Sequence, residues 1–188
     1  MKPEKTNNST EEWVITSRRT LYEYPPYLRL EQQTVQLPDG KQVKDYHRIE
    51  IPDYCVICPF TVDGNIVMLE GYRHGIGCVT SFLPGGIIDK GENPLAAAQR
   101  ELLEETGYSS DEWTSLGNYQ LHGNYGCGRA YIYKATELTK LQQENPGDLE
   151  EMHIKHVSVQ SLEEIIQGGE IKSVSSVAAI ALCLSHIY

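Results

Sequence analysis

Apolar and polar positions change rhythm several times along the chain, and each change marks an element. Over residues 13–51 the pattern is strand-like. Trp13-Val14-Ile15 and Tyr27-Leu28-Arg29-Leu30 lead into 33–37, Pro38-Asp39-Gly40 is a hairpin signal, and 41–51 returns. Residues 54–62 form an apolar run that reads as a buried strand. After Asp63-Gly64-Asn65 come two more short strands, 66–70 and 79–83. The period then becomes helical, with Asn93 as N-cap, Pro94 at the first helical position and Gly107 as the stop. Strands follow at 113–121 and 129–135, joined by the glycine-rich loop 122–128. Residues 137–151 are polar and acidic and predict a loop with some helix. A strand at 153–159, a short helix at 161–167 closed by Gly168-Gly169, and an apolar helix at 174–187 complete the chain. The fold predicted is α+β, with helices around a largely non-parallel sheet.

Composition narrows the functions open to this fold. The 188 residues suit one domain with a small appended element: a tail at 1–12, an N-terminal β-subdomain at 13–51 and the main domain at 52–188. Twenty-six acids against 16 Lys+Arg leave a net charge of −10, which argues against nucleic acid and anionic membranes as partners. No apolar stretch approaches the ~18–20 residues of a membrane span. Residues 1–12 are polar, read as disordered, and lack the apolar stretch of a signal peptide, so a cytoplasmic location is expected. Of the five cysteines, Cys55 and Cys58 form a C-x-x-C pair. Inside a strand, positions three apart point to opposite faces, which is poor chelating geometry and favours core packing.

The charge that matters is concentrated in 86–108, GIIDKGENPLAAAQRELLEETGY. At about 100° per residue, Glu101, Glu104 and Glu105 share one exposed face roughly 100° wide, while Leu95, Ala98, Leu102 and Thr106 face the core. Arg100 sits beside the acids, one turn from Glu104. Three acids on a helix are compatible with a solvated face. Here, however, lysines are not interspersed, and a Gly-Gly loop with Asp89 and Glu92 precedes the helix. Carboxylates and backbone carbonyls are the ligands that hard divalent cations prefer.

The spacing Gly86-x5-Glu92-x7-Arg100-Glu101-Leu102-x-Glu104-Glu105-x-Gly107 resembles the Nudix box at every polar position, with Tyr108 in place of the final aliphatic residue. The resemblance implies the Nudix fold, a mixed β-sheet sandwiched between helices, and an enzyme that hydrolyses a nucleoside diphosphate linked to another moiety using Mg²⁺ or Mn²⁺. It implies that Glu101 and Glu105 are metal ligands, Glu104 a ligand or base, and the Gly85 carbonyl a further ligand, with Gly86 at the substrate. Glu92 and Arg100 would hold loop and helix together.

Trp13, Leu37-Pro38-Asp39-Gly40, Tyr46, Leu69-Glu70-Gly71-Tyr72-Arg73 and the stretch from Gly169-Glu170-Ile171 to Ala181-Leu182 resemble the subgroup acting on ADP-ribose and other nucleoside diphosphate sugars. That implies a homodimer whose N-terminal β-subdomain helps build the partner's base site. Tyr22, Tyr24 and Tyr27 are then candidates to stack on a base or to pack as interface or core. It also implies Arg73 as a phosphate contact, Asp148 as a base and Glu150 as a base-loop metal ligand. The chain departs from the subgroup twice. Phe82-Leu83-Pro84-Gly85-Gly86 stands for Glu-Leu-Pro-Ala-Gly, and Leu121-His122-Gly123 stands for Ser-Pro-Gly, with His122 a candidate phosphate or sugar contact. The expected reaction is cleavage of a nucleoside diphosphate sugar to a nucleoside monophosphate and a sugar phosphate. Dinucleoside polyphosphates, nucleoside triphosphates, coenzyme A and a non-catalytic sensor role are the alternatives.

Overall fold

The structure, a computed structural model, describes residues 12–143 and 151–185. These fall into two compact units, one taking the residues up to Ile51 together with His122–Cys127, the other those from Pro52 to Leu121 and from Gly128 onward. In the first unit, β1 (Val14–Tyr24), β2 (Leu28–Gln36) and β3 (Gln42–Glu50) pair antiparallel in that order. β1 is longer than the apolar pattern predicts. It continues through polar residues because pairing with β2 needs only backbone donors and acceptors, and two register shifts keep it in step. The segment His122–Cys127 is tied to β3 where Ile49 N donates to Tyr125 O (2.8 Å) and the Tyr46 hydroxyl donates to Asn124 O.

Every residue of β1 is exposed. Trp13, Val14, Leu21, Tyr22, Tyr24 and Tyr27 all stand at 41% exposure or more, an apolar edge of the kind monomeric proteins avoid.

The second unit contains β4 (Tyr54–Pro59), β5 (Asn65–Arg73), β6 (Cys78–Phe82), α1 (Pro94–Thr106), β7 (Tyr108–Ser109), most of β8 (Glu112–His122) and β9 (Gly126–Thr136), β10 (Thr139–Lys140), β11 (Met152–Ser158), α2 (Leu162–Gln167) and α3 (Val174–Ser185). β9 pairs with β8 on one side and runs parallel to β4 on the other. β11, β5 and β6 form an antiparallel sheet in that order. Two elements differ from the sequence pattern. β5 extends to Arg73, which therefore ends a strand rather than following one. The described part of 137–151 holds no helix; instead β10 pairs with β7. Among the described residues no helix is long and apolar enough to cross a membrane.

β4 is buried on both faces, and its alternation divides the core. Cys55 and Ile57 pack with Ala97, Ala98 and Leu102 of α1, while Val56 and Cys58 pack with Leu162 of α2 and with Ala179, Ile180 and Cys183 of α3. The mixed sheet thus lies between helices, as the pattern and the resemblance both predict. Cys55 and Cys58 are fully buried, unbridged and on opposite faces. Burial pushes the Cys55 thiol up to about 11 and the Cys58 thiol well above its ordinary range, so both pack as neutral groups.

α1 forms where its punctuation predicts. The Asn93 side chain accepts from Leu95 N (2.9 Å) and Ala96 N (3.4 Å), Pro94 opens the helix, and Gly107 N donates to Leu103 O (2.8 Å) in a left-handed cap. Asn93→Ala should cost about 1 kcal/mol and lower the melting temperature by about 2–4 °C, measured by thermal denaturation.

Candidate active site

The loop between β6 and α1 is laid against β4 by backbone bonds. Ile57 N donates to Pro84 O (2.9 Å), Cys55 N to Gly86 O (2.9 Å) and Ile88 N to Asp53 O (3.0 Å). The two β4 amides take the carbonyls on either side of Gly85, leaving the Gly85 carbonyl as the remaining acceptor of this turn. Close approach of backbone requires glycine at Gly85, and the missing side chain at Gly86 leaves room for the Glu101 carboxylate. At Gly85, with φ +150°, a Cβ would stand 2.1 Å from Cys55 O; at Gly86 it would stand 2.3 Å from Glu101 Oε1.

Arg100 gathers the acids. Its Nε and Nη2 donate to the two carboxylate oxygens of Glu92 (3.0 and 3.1 Å), a bidentate pairing. Nη1 donates to Glu101 (2.7 Å) and Glu104 (3.3 Å), and Nη2 also reaches Ile87 O (3.2 Å). Glu105 is only partly exposed rather than on an open face, and its carboxylate accepts from Gly85 N at 2.8 Å. The electrostatics follow from these contacts. The hydrogen bonds of Arg100 hold Glu92 below the usual carboxylate range. Burial pushes Glu101 above it, against the pull of Arg100, and the charges of Glu104 and Glu92 add to the rise. Arg100 is held firmly protonated, chiefly by its bonds to Glu92.

A partly buried carboxylate raised in this way is one that a further cation would stabilise. The donor set offered by Glu101, Glu104, Glu105 and the Gly85 carbonyl is all oxygen, which suits Mg²⁺ or Mn²⁺ rather than a thiophilic metal. Among the described residues no three His, Cys, Asp or Glu side chains already converge as an ion cage. Glu101 and Glu104 lean on Arg100, and Glu105 leans on the Gly85 amide. Such a loosely gathered set of carboxylates fits Mg²⁺, which keeps waters and takes ligands from one or two carboxylates and from a bound phosphate.

The same turn contributes Gly85 to the lining of a cavity of about 490 Å³, together with Arg73, Phe82, Tyr54 and Ser175 among others. The structure therefore brings Gly85, Gly86, Glu101, Glu104, Glu105 and Arg73 around one segment of backbone. His122 belongs to the first unit. There its Nδ1 accepts from Asn124 N (3.3 Å) and Tyr125 N (3.2 Å), and its ring packs on Tyr125, contacts that organise its own turn. Asp148 and Glu150 lie outside the described residues. Two features escape the sequence reading: the bond from Gly85 N to Glu105, and the Arg73 guanidinium resting over the Phe82 ring at 3.7 Å. Neither leaves a local signal in the sequence, because each depends on how separate elements come together.

Comparison with known proteins identifies the family. The family model for the NUDIX domain matches residues 52–176. An ADP-ribose pyrophosphatase of Bacillus subtilis is 26% identical over 149 residues, covering 79% of this chain and 80% of that protein. A methanol dehydrogenase activator of Bacillus methanolicus is 29% identical over 140 residues, covering 74% of each. A crystal structure of an ADP compounds hydrolase superposes with a TM-score of 0.83 over 95% of this chain and 96% of that one, at 21% identity, a likeness of fold. The family match spans well over half of the chain and includes β4, the glycine turn and the acidic helix, and by that measure the chain belongs to the NUDIX hydrolase family.

Proposed function

We propose that the protein is a divalent-metal-dependent pyrophosphohydrolase that cleaves a nucleoside diphosphate sugar, ADP-ribose or a similar compound, into a nucleoside monophosphate and a sugar phosphate. One observation carries this reading. The turn at Gly85 touches the acidic helix through Glu105 and opens onto the cavity that holds Arg73. An acid face for cations and a guanidinium for an anion so border one site. A substrate that is itself a pyrophosphate suits both.

In this reading Glu101, Glu104, Glu105 and the Gly85 carbonyl hold Mg²⁺ or Mn²⁺, which when bound supplies charge neutralisation at the pyrophosphate and a water of lowered pKa. Arg73 presents a planar set of donors to the phosphate oxygens. Gly86 keeps the loop low enough for the substrate to approach Glu101. Glu92 and Arg100 fix the acids before any ligand arrives. A general base accepts the proton of the water that attacks phosphorus, and the bridging P–O bond breaks. Glu104 is one candidate for that base, and the resemblance supplies Asp148 as another, with Glu150 as a further ligand. The two departures, Phe82 before the turn and Leu121-His122-Gly123 after the helix, are where the chain differs from the pattern of the ADP-ribose enzymes, so the sugar is left to the substrate panel.

The relatives named above include proteins acting on ADP-ribose and ADP compounds, which supports the substrate class. The exposed apolar edge of β1 supports a homodimer formed through the first unit. A sheet edge carrying tyrosines and Trp13 gains by covering them against a second copy.

Three outcomes are expected. Incubated with a panel of nucleotide sugars, dinucleoside polyphosphates, nucleoside triphosphates and coenzyme A, the protein should turn over a nucleotide sugar fastest with Mg²⁺ or Mn²⁺. It should lose that turnover in EDTA; no turnover at high enzyme concentration would sink the reading. Glu105→Gln retains an oxygen for the Gly85 amide while removing the charge, so it should melt like wild type yet lose at least about 100-fold in kcat, by analogy with losses at metal-site ligands and their supports. Tyr22→Glu should convert a dimer to a monomer in light scattering coupled to gel filtration. An unchanged mass would place the subunit contact elsewhere.

A further inference from the structure

The side chain of Arg73 does not simply project from the end of β5. Its guanidinium carbon lies 3.7 Å from the centroid of the Phe82 ring, and both residues line the cavity beside Gly85. Register explains how they meet. Leu69 pairs with Phe82, Gly71 with Thr80 and Arg73 with Cys78, so these positions share one face of the sheet. Gly71 places no side chain between them. The Thr80 hydroxyl is turned to backbone, donating to Glu170 O (2.7 Å) and accepting from Lys172 N (3.2 Å). The long Arg73 chain therefore has a path back along β6 to the ring. Phe82 is only 4% exposed, and the guanidinium caps its face.

We propose that Phe82 is a positioning residue for Arg73: its ring supports the flat face of the guanidinium, so that the in-plane N–H donors are presented edgewise to the pyrophosphate of the substrate. A cation over an aromatic face is attracted by the ring quadrupole, more strongly where water is excluded. Stacking engages only the flat face, whereas phosphate recognition uses the edge, so the two contacts do not compete. A carboxylate at the same position would compete, because it would take the same edge. An aliphatic residue would fill the space without fixing the plane. The inference rests on the reading of Arg73 as a phosphate contact and adds what orients it.

The test is a double-mutant cycle on the full-length protein with the fastest-cleaved nucleotide sugar. Arg73→Ala should raise KM. Phe82→Leu should raise KM by about three- to tenfold with a smaller change in kcat. Phe82→Tyr, which keeps the ring, should restore KM towards wild type. In the Arg73→Ala background Phe82→Leu should add almost nothing, because the group it orients is gone. Should the leucine variant melt early, Phe82→Met replaces it in the cycle. If Arg73→Ala raises KM but neither aliphatic variant does, or if their effect persists undiminished without Arg73, the positioning role is overturned. If Arg73→Ala itself leaves KM unchanged, the assignment of Arg73 to the phosphate fails instead.

Discussion

The constraint on which the site depends is the placement of one guanidinium among too many carboxylates. Glu92, Glu101 and Glu104 all take hydrogen bonds from Arg100, and Ile87 O takes another. Without it, the acids of the helix and of its preceding loop would repel one another, and Glu101, already disfavoured by burial, would lose the guanidinium that offsets it. Arginine suits the position because its donors fork in a plane, so one side chain serves two points of the loop before α1 and two carboxylates of the helix itself. Lysine would satisfy fewer of these partners. The same contact fixes the loop relative to α1, and so determines where Gly85 and Gly86 lie.

Much of this was legible in the sequence, for reasons that differ by residue. Asn93, Pro94 and Gly107 specify α1 through local chemistry, and local chemistry is what a sequence shows directly. The alternation of β4 told the two cysteines apart because period two is imposed by the strand itself. The glutamate and arginine positions are read from spacing, since 3.6 residues per turn decides which side chains meet. Other features depend on partners far along the chain. That Gly85 tolerates no side chain follows from Cys55 O, thirty residues away, and the seating of Phe82 beneath Arg73 follows from a strand register that no local signal fixes. The length of β1 was missed for a related reason: its polar residues are held by backbone pairing, to which side-chain patterns are blind.

The acid excess takes on a different meaning once located. A net charge of −10 discourages long polyanions at a distance. At the turn, however, groups of both signs meet the same backbone: the Glu105 carboxylate takes the Gly85 amide, and the Arg73 guanidinium lies in the cavity that Gly85 lines. Bulk charge and local charge thus select different things: the first excludes by size, the second admits by geometry.

The pinning of the Pro84–Gly86 backbone onto β4 has a consequence for how such a protein diversifies. β4 is buried on both sides by helices, so the turn inherits the rigidity of the core and cannot be reshaped without unpacking it. Variation in substrate must then enter through the cavity walls, at positions such as Tyr54, Ile76 and Ser175, where a side chain can be exchanged while the backbone stays in place. A lineage built on this scaffold would change what it holds far more readily than where it cuts.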